Sequence, residues 1–209
     1  MSTQAALPSC EARTTAVLAE RRPPRAEASL VATAKIAAWI AGALTLGVLA
    51  IGLAVDIAAI APARRLLAFQ FRGVPAEPAV AATAFVHNLH ALLAIGGAML
   101  VAQMPYLVDR AADAGRTQRM LRVVCEVALA GAVAANVMVI GVSFGAYGTK
   151  MTRAALPHGP VELAAYSLAL ALYIQGRRRA LPARHIFIVI ALSTCLLAAA
   201  AVLETFVNV

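Results

Sequence analysis

Five long apolar runs, closed by prolines, acids or clustered arginines, constrain this 209-residue chain more than any other feature. They begin near Ile36, Val80, Val123, Pro160 and Ile186 and end near Val55, Met104, Phe144, Gln175 and Phe206. A helix needs roughly 20 predominantly apolar residues to cross a bilayer core about 30 Å thick, and a helix satisfies its own backbone polar groups there. Composition points the same way: 62% hydrophobic and 13% charged residues leave too little polar surface to coat a water-soluble globule of this size. The expected fold is all-α, a polytopic membrane bundle of about five transmembrane helices.

A net charge of +8 would suggest nucleic acid as the partner of a soluble domain. Here the arginines sit in short segments between apolar runs, so membrane lipid is the expected partner and nucleic acid is not. Thirteen of the 18 Lys and Arg residues lie in the tail through Lys35, the connector at 105–122 and the loop at 177–184. The other five lie at 56–79 and 146–158. This bias predicts a multi-pass protein of the cell membrane with a cytoplasmic N-terminus and an outside C-terminus.

Residues 1–34 carry Pro8, Pro23 and Pro24 among four arginines and three acids, and read as a polar cytoplasmic tail. No apolar stretch with a small-residue cleavage site follows at signal-peptide distance, so the tail is expected to be retained. Residues 35–209 form one transmembrane helical domain. Within it, Leu66–Phe71 is expected on the membrane surface between Arg65 and Arg72, Pro105 is expected to end the second span, and Asp109–Arg122 reads as a charged connector. Cys10, Cys125 and Cys195 form no C-x-x-C pair, and the last two are expected to pack as small apolar side chains.

Polar groups inside apolar runs are few and costly, which makes them informative. His87, Asn88 and His90 open the second span; Glu126, Asn136 and Gly141-x-x-x-Gly145 mark the third; Glu204 nears the end of the last. The stretch Leu156-Pro157-His158-Gly159-Pro160-Val161-Glu162 leads into the fourth. Pro160 disfavours helical geometry at Gly159, so the helix is expected to begin at Pro160, with Glu162 in its first turn and His158 on the incoming loop. A hinge at Gly159 would then bring the two together. In the predicted topology Asp56, His87, His90, His158, Glu162 and Glu204 share the outer side of the bilayer.

The Pro157-His158-Gly159-x-x-Glu162 element, the Phe85-Val86-His87-Asn88-Leu89 segment and the closing Ala201-Val202-Leu203-Glu204-Thr205-Phe206 together resemble the stage II sporulation protein M family of integral membrane proteins. That family usually has two asparagines where this chain has His87 and Asn88. The resemblance covers roughly residues 80–209 and implies assembly with partner proteins, its best-known member being a membrane scaffold. In size and in its Ala- and Arg-rich composition the chain also looks like the membrane subunit of linaridin biosynthesis. That likeness implies a second, hydrolase-like protein subunit and a ribosomally made precursor peptide, with L- to D-residue conversion as the chemistry.

Epimerising a peptide residue without a cofactor requires removing an α-proton and returning one to the other face, hence two titratable groups flanking the substrate. His158, Glu162, His87, His90 and Glu204 are the candidates, with no cofactor and no metal. A packing reading stands beside this one, in which Glu162 complements a helix N-terminus and His158 bonds a neighbouring loop. His87 and His90 with Glu162 or Glu204 could also supply three metal ligands, and polar groups beside a broken helix can line a transport path.

Overall fold

The computed structural model describes residues 29–68, 75–107 and 115–207, which are helical apart from short turns. The helices are α1 (Leu30–Ala58), α2 (Ile60–Leu67), α3 (Pro78–Leu107), α4 (Gly115–Tyr147), α5 (Thr149–Ala155), α6 (Gly159–Arg178) and α7 (Ala183–Phe206). No strand occurs among the described residues, and the chain is an all-α bundle.

Four helices are long and apolar enough to cross a membrane: α1, α3 over Pro78–Met104, α4 and α7. The fifth expected span, α6, has 20 residues, enough for about 30 Å of rise, but it is less apolar than the others. Its position explains why. Helix α6 packs against α1, α3 and α7, and Ala165, Ser167, Ala169, Leu172, Gln175 and Gly176 along it are buried. A helix surrounded by protein can carry polar side chains that lipid would not accept. The core it completes includes Leu92, Ile95 and Met99 of α3 with Val189 and Leu197 of α7.

Helix α4 stands on the outside, against α1 and, more lightly, α3. Its contact with α1 depends on glycine. A Cβ on Gly141 would fall 2.7 Å from Ile51 Cβ, and one on Gly145 would strike the Gly52 carbonyl and Val55. The Gly-x-x-x-Gly spacing therefore lets two backbones of the same chain touch.

Several boundaries differ from expectation. Helix α1 starts at Leu30, taking the last residues of the expected tail into the helix; residues 1–28 lie outside the described set. Helix α3 continues to Leu107, because a proline this near a helix end removes only one backbone bond. Helix α4 begins at Gly115, so Arg116, Arg119 and Arg122, which stand at helical spacing, lie on the helix itself and not on a separate connector before it. The break after α1 comes at Ala59 (φ −146°), and α2 carries Leu66 fully to the surface at 83% exposure. Most of the Leu66–Phe71 run lies outside the described residues. Arg64 Nε donates to the Ala146 carbonyl at 2.6 Å and fastens α2 to the end of α4. Cys125 packs partly against the core, whereas Cys195 is exposed on the outer face of α7, where an apolar thiol suits lipid as well as a core.

A polar cleft at one end of the bundle as candidate functional site

Three helix ends meet at one end of the bundle: the start of α3, the start of α6 and the end of α7. Gly159 is the first helical residue of α6, Pro160 the second, and His158 the N-cap. The Glu162 N–H donates to the His158 carbonyl at 3.1 Å, which closes the first turn and fixes both residues at the same mouth. The expected hinge is not what brings them together. Gly159 has ordinary helical geometry, and a Cβ there would meet only Ala155 Cβ at 3.8 Å.

Between these ends lies an open cleft of about 480 Å³, lined by Val80, Thr83, Ala84, His87, Asn88, His158, Glu162 and Glu204. Its size falls in the range of roughly 300–1,000 Å³ common to small-molecule sites. Glu162 is held from the α3 wall, where Asn88 Nδ2 donates to Oε1 at 2.5 Å. Tyr166, one turn further along α6, donates its hydroxyl to the Asn88 carbonyl at 3.2 Å and so ties the same two helices again. His158, Glu204 and His87 all lie close enough to act electrostatically on Glu162. His158 Nδ1 is buried and has no hydrogen-bond partner.

Four of the five candidate residues thus share the cleft, and one does not. His90 is exposed on α3, and its Nδ1 bonds the Val86 carbonyl of its own helix at 2.7 Å. The cleft-facing stripe of α3 runs Val80, Ala84, His87, Asn88, and His90 lies roughly a quarter-turn away from its centre. The i, i+3 spacing of His87 and His90 predicts one shared face, but the neighbouring helices meet a stripe displaced from it. With His90 turned away, the His87, His90 and glutamate ligand set is not assembled, and no three His, Cys, Asp or Glu among the described residues are placed to hold a metal ion. Asp56 is also exposed and does not line the cleft. Asn136 bonds the Ala132 carbonyl of its own helix on the outer face of α4.

Sequence reading overlooked a second polar cluster at the opposite end of the bundle. Thr33 of α1 meets His185 Nε2 of α7 at 3.0 Å, and Gln175 of α6 donates to the Thr33 hydroxyl at 3.0 Å. All three are buried, and the trio joins three helices, with the Thr33 hydroxyl also within reach of the Ser29 carbonyl at 3.3 Å. Gln103 of α3 does similar work nearby, donating to the carbonyls of Gly176 (2.5 Å) and Arg179 (3.0 Å) and accepting from the Leu181 N–H (3.0 Å). These bonds satisfy the carbonyls left open at the end of α6. The signal that could have found them was a single polar residue in each of several apolar helices at the arginine-rich end.

Fold and site together define a polytopic helical membrane protein with an acid–base cleft at one end and a polar clasp at the other. No protein-family model, no curated protein and no solved structure matches the chain.

Proposed function

We propose that the chain is the membrane-embedded subunit of a heteromeric complex that modifies a ribosomally made peptide, by proton transfer at an α-carbon and without a cofactor. The observation that carries this reading is the cleft itself: imidazoles and carboxylates from three separate elements around one open space of peptide-residue size. Glu162 and His158 stand at the start of α6 while Glu204 comes from α7 and His87 from α3. One group can take the α-proton as the carbanion forms, and a protonated group on another wall can return a proton to the opposite face. Two-sided access of this kind is what inversion requires. The likeness to the stage II sporulation protein M family and to linaridin membrane subunits supports the partner and the substrate class.

In this reading α6, packed against α1, α3 and α7, is a fifth span, and the excess of Lys and Arg at the opposite end of the bundle favours a cytoplasmic position for that end and an outer position for the cleft. Peptide then meets the cleft at the outer side of the bilayer. A scaffold without chemistry is the second reading. It is favoured by helix α4, whose 18-residue apolar window has no buried residue and presents a long face to a partner.

Co-expression with a candidate precursor peptide and a candidate hydrolase-like partner tests the first reading through the chirality of the product's residues. D-residues that require this chain support it. An all-L product with the assembled complex present overturns it.

A further inference from the structure

The arginine-rich end holds a built arrangement of charge that neither the cleft nor the proposed chemistry uses. Glu126 Oε1 of α4 accepts from Arg122 Nε at 3.1 Å and forms an ion pair with Arg177 of α6, whose Nε lies at 2.9 Å. One carboxylate thus sits between two guanidinium groups and neutralises only one of them. Both arginines approach it through their Nε edges. Arg122 uses one further N–H on the Arg177 carbonyl at 3.1 Å, and the other N–H groups of the two forks remain available. Arg122 is 33% and Arg177 50% exposed, so these edges reach the surface.

Three further observations converge on the same place. The Tyr173 hydroxyl is buried without a hydrogen-bond partner and lies within electrostatic range of Glu126, Arg177 and Arg122. Arg178 and Arg184 flank the site, exposed, with no carboxylate at ion-pair distance among the described residues. Arg122 directly precedes the apolar run that opens at Val123, and Arg177 directly follows the one that closes at Gln175-Gly176. With α4 and α6 both crossing the bilayer, the two guanidinium groups would stand at the boundary between hydrocarbon and headgroup.

We propose that the Arg122–Glu126–Arg177 bracket is a binding site for the phosphate of an anionic phospholipid headgroup. A guanidinium fork matches phosphate oxygens in pairs, and basic pockets between transmembrane helices take such headgroups. The phosphate would bridge the free edges of the two arginines, with the Tyr173 hydroxyl as an additional donor beside them. Glu126 bridges the two guanidinium groups and limits affinity by its own negative charge. The bound lipid would add a further link between α4 and α6 at the Arg122–Arg177 contact.

The full chain, purified in a neutral detergent, is offered cardiolipin, phosphatidylglycerol or phosphatidylcholine, and retained lipid is counted by native mass spectrometry beside the thermal unfolding midpoint. The expected result is at least tenfold preferential retention of the anionic lipids, with a raised midpoint. Arg122→Gln with Arg177→Gln should abolish the preference, while Arg178→Gln with Arg184→Gln should reduce it only a few-fold. Glu126→Gln should retain anionic lipid at least as well as the parent, and it keeps the test valid if the double arginine variant does not fold. Equal retention of phosphatidylcholine, loss of binding in Glu126→Gln, or the same stabilisation by inorganic phosphate alone would each overturn the proposal.

Discussion

Asn88 is the residue on which the cleft turns. Its amide reaches Glu162 from α3 and its backbone carbonyl receives Tyr166, so one position fixes the depth and direction of the carboxylate. Replacing it by Ala leaves a partly buried carboxylate short of a donor. The expected cost is about 1–3 kcal/mol, read as a lower unfolding midpoint of the purified protein. Gly159 should behave in the opposite way. Its Cβ position is open and its φ is not positive, so Gly159→Ala should change stability by less than about 0.5 kcal/mol, and a large loss would revive the hinge. At the other end, His185→Phe removes one of the buried bonds that hold the Thr33 hydroxyl and puts a larger apolar ring into the clasp, and should cost more than removing any single exposed arginine nearby.

At the scale of elements, packing rather than periodicity decided what could be read in advance. The apolar runs and their breakers located every long helix, because a membrane demands both length and apolarity. The start of α6 was legible as well, since Pro160 and the acid two residues later have distinct places in a first turn. The rotation of α3 was not: His87 and His90 share a face by spacing, yet only contact with α6 and α7 shows that the stripe through His87 and Asn88 turns inward. Thr33, Gln103, Gln175 and His185 were equally silent, each an isolated polar residue until the fold brings them together. The Gly-x-x-x-Gly pair of α4 makes the contrast testable. Gly145→Leu should separate α1 from α4 and destabilise the chain severely, whereas Gly131→Leu, with nothing within 4 Å of its Cβ position, should leave the unfolding midpoint within a few degrees.

For the whole molecule, the two ends of the bundle carry different chemistry. One gathers Glu162, Glu204, His158 and His87 around open space. The other gathers arginines outside and a satisfied hydrogen-bonded clasp inside. Helix α6 runs between them as the inner strut, which is why it is the least apolar of the five long helices. With α6 crossing the bilayer, tags on the two termini should label from opposite sides of intact cells; labelling from one side would mean that α6 does not span. The most direct measurement is the epimerisation rate of the assembled complex with Glu162→Gln, which keeps the shape of the cleft and removes the carboxylate proposed to accept the proton. The account predicts a fall of at least about 100-fold, the usual weight of a general acid–base group, with the partner still co-purifying. Undiminished D-residue formation in that variant would contradict it.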